Sequence, residues 1–152
     1  MPEPQSDYSY RTDPAVPAFA DERPVLVFDG LCVLCSQGAQ WVLRRDRAGR
    51  FRFTTAQSPL GQALFVHYGM DPNAYESVLL IEAGRLYVRS DVAVRVGKTL
   101  GGVWSAAVLL KAIPLAWRDG AYDWLARRRF DLFGRRPVCF RPEPGWAERF
   151  LE

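Results

Sequence analysis

Cysteine is scarce in this chain, with three residues among 152, at positions 32, 35 and 139. The number is odd and the spacing uneven, which excludes a small secreted scaffold stapled by disulfides. The first 23 residues are polar and proline-rich and lack the apolar segment of a secretory leader. A cytoplasmic setting is expected, where a Cys32/Cys35 bridge persists only if it cycles. Long apolar runs are missing too. Residues 103–110 are very apolar, but Lys111 interrupts them and Pro114 follows, so they are too short to span a bilayer. They are expected as a core-packing helix, with a membrane-surface or partner contact as the alternative, and no stable membrane insertion. Lysine occurs only at 98 and 111, the basic side being arginine, and the net charge is +3. No nucleic-acid-binding motif accompanies Arg127-Arg128-Arg129 or Arg135-Arg136, which read as a solvated helix end, and nucleic acid is not an expected partner. A second CxxC is absent, so a zinc site would have to gather Cys32, Cys35, Cys139 and His67 from far apart. Internal repeats are absent, and a hydrophobic content of 49% is ordinary for one globular domain.

What is present has a clear order. Residues 1–23 read as a flexible tail, lightly docked by Tyr8, Tyr10 or Phe19, and residues 24–152 as the domain. Val25-Leu26-Val27-Phe28 is the pattern of a strand buried on both faces, stopped by Asp29-Gly30. A helix follows with Ala39, Val42 and Leu43 on one stripe, then a second strand at Phe51-Arg52-Phe53-Thr54, making a parallel βαβ unit. Ser58 and Pro59 mark the start of a helix carrying Leu60, Leu64 and Phe65. After a loop over 70–75, Ser77-Val78-Leu79-Leu80-Ile81-Glu82 is a strand, and Ala83-Gly84 turns it into Arg85-Leu86-Tyr87-Val88. Ser90 or Asp91 is expected to cap a helix carrying Val92, Val94, Val96 and Leu100. Gly101-Gly102 interrupts it. Helices over 103–113 and 115–130 follow, and Trp146, Phe150 and Leu151 are expected to pack back. The order β-α-β-α-β-β-α plus C-terminal helices is an α/β arrangement of thioredoxin type.

Chemistry concentrates at Asp29, Cys32 and Cys35. One helical turn separates the cysteines, so their sulfurs can approach disulfide distance. The first sulfur faces the unpaired N–H groups and positive dipole end of the helix, which favour thiolate and set an expected pKa of about 3.5–7.5. Cys32 is the candidate nucleophile and Cys35 the resolving thiol; buried structural thiols are the competing explanation. Asp29 either takes a proton from Cys35 or closes the turn. A phosphatase Asp-x-Asp motif is excluded because Leu31 occupies the second position. Cys139 is either a third redox partner or a bystander. His67 reads as a helix-end residue. Ser90-Asp91 beside Arg89 reads as an N-cap, with a small anionic thiol as the alternative ligand.

The run Phe28-Asp29-Gly30-Leu31-Cys32-Val33-Leu34-Cys35, with Arg85-Leu86-Tyr87-Val88-Arg89-Ser90-Asp91 and Phe133-Gly134-Arg135-Arg136 before Cys139, resembles the DCC-type thiol-disulfide oxidoreductase family, named for its DxxCxxC motif. The resemblance implies a thioredoxin-like fold and dithiol–disulfide exchange, with a protein or small-molecule disulfide or thiol as partner and no cofactor. It implies no particular substrate or oligomeric state. Val33-Leu34 replaces the Gly-Pro of thioredoxins, no Trp precedes Cys32, and no proline directly precedes Ser77. The alternative is a non-catalytic binding module of the same fold, with or without a Cys-based zinc site.

Overall fold

The computed structural model describes residues 7–71, 78–135, 137–138, 140–142 and 144–151. The sheet is built around β1 (Val25–Phe28), whose four side chains are all buried because strands flank it on both edges and helices cover both faces. β2 (Arg52–Thr55) runs parallel to it in the register Val25 to Arg52. β3 (Leu79–Glu82) pairs antiparallel on the other edge, and β4 (Arg85–Val88) pairs antiparallel with β3. The order β2-β1-β3-β4 makes a mixed four-stranded sheet within an α/β fold.

Strand alternation sends the side chains into two cores. Val25, Val27, Leu79 and Ile81 meet Leu60, Leu64 and Phe65 of α2 (Pro59–His67). Leu26, Phe28, Phe53 and Leu80 meet Ala39, Val42 and Leu43 of α1 (Val33–Arg45) and Val92 and Val96 of α3 (Ser90–Leu100). Each such side chain, fully buried, contributes about 1.5–3 kcal/mol. Ser58 caps α2 as its sequence suggests, accepting the Gly61 N–H at 3.0 Å, with Pro59 in the first turn. Gly61 is required for packing, since a Cβ there would lie 2.2 Å from the Thr55 carbonyl oxygen.

The described part of the N-terminal stretch, residues 7–23, lies against the first core. Tyr10 and Val16 are buried in it, with Tyr8 and Phe19 packed beside them. The β3–β4 turn has positive φ at both Ala83 (51°) and Gly84 (79°), the geometry of a two-residue hairpin. The Tyr8 N–H donates to the Gly84 carbonyl, and the Tyr8 ring occupies the space a Cβ on Gly84 would need.

The second half departs from expectation in three places. Neither Ser90 nor Asp91 caps α3: Arg89 holds the cap position with φ 56°, and the Ser90 N–H and hydroxyl both donate to Asp119. A carboxylate from a distant helix supplies the cap, which local sequence cannot reveal. Residues 103–110 do not form a core-packing helix. Gly102–Ala112 is a 3₁₀ helix with no buried residue, and Val103 and Leu109 are 79% and 70% exposed. It lies on α3 through a close backbone approach, because a Cβ on Gly97 would meet the Ala107 methyl and the Trp104 carbonyl at 2.5 Å. Finally, α4 (Leu115–Phe133) buries two polar residues, Asp119 and Arg129, while Trp117 and Trp124 stand exposed. Arg129 is therefore not part of a solvated helix end. The C-terminus does return as expected: Phe150 stacks on Phe53 and Phe140, and the Leu151 N–H donates to the Phe53 carbonyl. Ser77, the expected start of β3, lies outside the described residues.

Candidate active site

β1 delivers the chain to Asp29-Gly30 at the edge of the second core, and α1 begins four residues later. Cys32 is the N-cap of α1, in extended conformation, and its sulfur accepts the Cys35 N–H at 3.3 Å. A sulfur at this position satisfies one of the helix's orphan donors, which is the role an oxygen plays in ordinary caps. The cap interaction works best when the sulfur is anionic, so the same geometry that starts the helix favours a thiolate.

The Cys32 pKa is lowered from 9.0 to about 6. The hydrogen bond from the Cys35 thiol contributes most. Burial opposes it, the Cys35 N–H and the Arg129 guanidinium add to it, and the Asp29 carboxylate opposes it. The Cys35 thiol is pushed strongly upward, by its hydrogen bond to Cys32 and by burial. The pair therefore shares one proton, held on Cys35, and Cys32 is the sulfur that carries the negative charge.

Asp29 is 5% exposed and engaged on both oxygens. Its Oδ1 accepts the Leu31 N–H at 2.9 Å, which closes the turn, and the Gln57 amide at 2.6 Å. Its Oδ2 faces the Arg129 guanidinium at 3.6 Å. Gln57 also accepts the Gly30 N–H at 2.9 Å through its side-chain oxygen, so one amide locks the loop that carries the cysteines to the end of β2. Of the two roles open to Asp29 in the sequence, turn closure is visible as hydrogen bonds.

The two sulfurs differ in access. Cys32 has no exposed surface, being covered by a bridge to Arg135 and by the Val33 N–H to the Gly134 carbonyl at 3.4 Å. The Phe140 N–H to the Gly30 carbonyl, 2.8 Å, pins the same segment. Cys35 is partly exposed and lies in the wall of a cavity of about 430 Å³.

Sequence reading brought Asp29, Cys32 and Cys35 together and missed Gln57 and Arg129. A signal for Arg129 was present, because Asp119, Tyr122, Ala126 and Arg129 recur at helical spacing and form the inward stripe of α4. Tyr122 accepts the Val78 N–H at 3.1 Å from that stripe. Gln57, immediately before a helix cap, carries no comparable pattern. Other candidates lie elsewhere. His67 is held by Asp13 at 2.7 Å and Ser9 at 2.8 Å on the opposite side of the sheet, so it is not gathered with Cys32 and Cys35. Cys139 lies outside the described residues. Among the described residues no group of three His, Cys, Asp or Glu side chains could hold a metal ion. The N-terminus of α3, considered for an anionic thiol, already receives the Asp119 carboxylate, and Asp91 is paired with Arg118 at 2.9 Å. No described helix is long and apolar enough to cross a membrane.

A family model described as DCC1-like thiol-disulfide oxidoreductase matches residues 26–135. The chain is 38% identical over 127 residues to the uncharacterized protein YuxK of Bacillus subtilis (strain 168), covering 84% of this chain and 93% of that one. It is 35% identical over 120 residues to a DCC family protein of Arabidopsis thaliana, At1g52590, designated chloroplastic, covering 78% and 70% respectively. No solved structure matches it.

Proposed function

The chain belongs to the DCC1-like thiol-disulfide oxidoreductase family, and from that premise we propose that it catalyses dithiol–disulfide exchange through Cys32 and Cys35 on a thioredoxin-like scaffold spanning residues 24–152. The observation that carries the reading is the position of Cys32 as helix cap, with its pKa lowered to about 6 beside a thiol that holds the proton. The strand order and directions support the thioredoxin-like assignment, since a parallel βαβ unit is followed by an antiparallel hairpin and a helix.

In the forward direction the Cys32 thiolate attacks one sulfur of a substrate disulfide. A Cys32–substrate disulfide forms and the substrate's other sulfur leaves as a thiolate, which takes the proton from Cys35. The Cys35 thiolate then attacks Cys32, forming the intramolecular disulfide and releasing the second substrate thiolate. Two electrons pass from the protein dithiol to the substrate. Asp29 acts as a positioning group in this scheme, holding the turn through Leu31 and Gln57 and balancing Arg129 near both sulfurs. The partner is a protein or small-molecule disulfide or thiol, in a reducing cytoplasmic setting where the pair cycles.

Equilibration in graded dithiol–disulfide buffers, followed by alkylation and mass mapping, tests the reading. A reversible two-electron transition confined to Cys32 and Cys35 is expected, with Cys35→Ser accumulating mixed disulfides on Cys32 and Cys32→Ser abolishing exchange. Exchange that survives Cys32→Ser overturns the mechanism.

A further inference from the structure

The apolar run after α3 is left uncovered by the fold and takes no part in the redox chemistry. Every residue from 102 to 117 is exposed except Ala107, which is half-buried. Ser105 and Lys111 alone among them carry a hydroxyl or a charge. Scattered exposed apolar side chains are ordinary on a protein surface, whereas a continuous run of this length marks a surface with an occupant. In a 3₁₀ helix successive side chains point about 120° apart, three to a turn. Val108, Leu109 and Leu110 therefore point in three directions, and they are 42%, 70% and 37% exposed. Trp117, in the first turn of α4, continues the run and is 74% exposed.

The charges around this run are of one sign. Residues 92–118 contain Arg95, Lys98, Lys111 and Arg118 and no Asp or Glu, and both lysines of the chain are among them. α1, which meets the run where Trp41 packs edge to face on Trp104, has no acidic residue either. The Arg45 guanidinium lies over both indoles, at 4.2 and 5.2 Å, and Arg50 reaches the Thr99 carbonyl just before the run begins. The carboxylates at the borders are engaged. Asp91 pairs with Arg118, Glu82 with Arg95 and Asp123 with Arg89, while Asp119 is buried against Ser90. Asp131 is exposed near the other end of α4.

We infer that residues 102–117 dock this protein on the surface of a bilayer that contains anionic lipid. The apolar side chains enter the boundary between headgroups and acyl chains, the cations lie among lipid phosphates, and the run does not cross the membrane. Three features select this occupant. Apolar side chains exposed in several directions suit a fluid phase that closes around the segment. A protein groove instead reads anchors that recur every third or fourth residue on one side of an α-helix. The cationic, acid-free border complements lipid phosphates, whereas a second copy would set the same border against itself. Tryptophan and lysine, here Trp104, Trp117 and Lys111, are side chains that settle at such a boundary, with an apolar body and a polar tip. The inference stands apart from the exchange activity. Trp104 and Ala107 also line the cavity beside Cys35, so attachment holds that side of the redox pair near the bilayer.

The test measures sedimentation of the full chain with vesicles of phosphatidylcholine alone and of phosphatidylcholine with phosphatidylglycerol at about 3:1. Binding to the anionic vesicles is expected to be about tenfold tighter or more, and to weaken as salt is raised. Lipids brominated in their acyl chains should quench tryptophan fluorescence, and Trp117→Phe should reduce that quenching. Leu109→Glu and Lys111→Glu should each lower the affinity for anionic vesicles about fivefold or more. Thermal unfolding of both variants should be unchanged, because both side chains are exposed. Equal binding to the two vesicles overturns the selection of anionic lipid. Anionic binding without quenching overturns the apolar seat, and binding that both variants leave intact overturns its location. No binding to either vesicle overturns the inference whole, and a dimer that Leu109→Glu converts to a monomer in sedimentation equilibrium without lipid then makes a second copy the occupant.

Discussion

Replacing Arg129 with methionine tests whether the loop that carries the cysteines is held electrostatically from α4. The Arg129 guanidinium and Asp29 carboxylate are 3.6 Å apart with side chains 10% and 4% exposed. At an effective dielectric near 20, two unit charges at that distance attract by about 4–5 kcal/mol. The net cost of removing one partner is smaller. Breaking a buried pair typically costs about 3–5 kcal/mol, and Asp29 keeps two other donors, Leu31 and Gln57. A loss of about 3 kcal/mol is therefore expected for Arg129→Met. With a urea m-value of about 2 kcal/mol/M, the unfolding midpoint falls by about 1.5 M. Asp29→Asn alone should cost about 2–3 kcal/mol, because a buried guanidinium loses its counter-charge. The double variant should cost no more than either single one, leaving a coupling energy of about 3 kcal/mol or more. Additive losses, with coupling below about 0.5 kcal/mol, would refute the claim that this pair fixes the loop.

Other expectations follow from the same site. The rate of Cys32 alkylation should rise with pH through a midpoint near 6 and level off above it, because the reactive thiolate is lost only as pH falls through that value; a midpoint above 8, followed by mass mapping, contradicts the cap geometry. Cys35→Ala removes the largest contribution to that depression and should move the midpoint upward, read in the same assay. Gly61→Ala drives a methyl to 2.2 Å from the Thr55 carbonyl and should destabilise by about 2–3 kcal/mol, a drop of roughly 4–12 °C in Tm by calorimetry, whereas an unchanged Tm would mean α2 sits differently on β2.

Local sequence determined the first half of this protein because its signals are short-range. Four consecutive β-formers make Val25–Phe28 a strand, Ser58-Pro59 starts a helix, and Ala83-Gly84 turns a hairpin, each through backbone conformations that neighbouring residues set. The CxxC spacing likewise places Cys32 where a helix begins, and the cap that favours its thiolate is a property of four adjacent residues. Tertiary structure decided what depends on distant partners. The charge beside Asp29 comes from a residue 100 positions away in sequence, the cap of α3 comes from α4, and Gln57 reaches back across the sheet. Residues 103–110 look like core by hydropathy, yet only docking on Gly97 determined that they close a cavity with one face and expose the other. Periodicity reports which side of an element is apolar, and only the packed chain determines what that side meets.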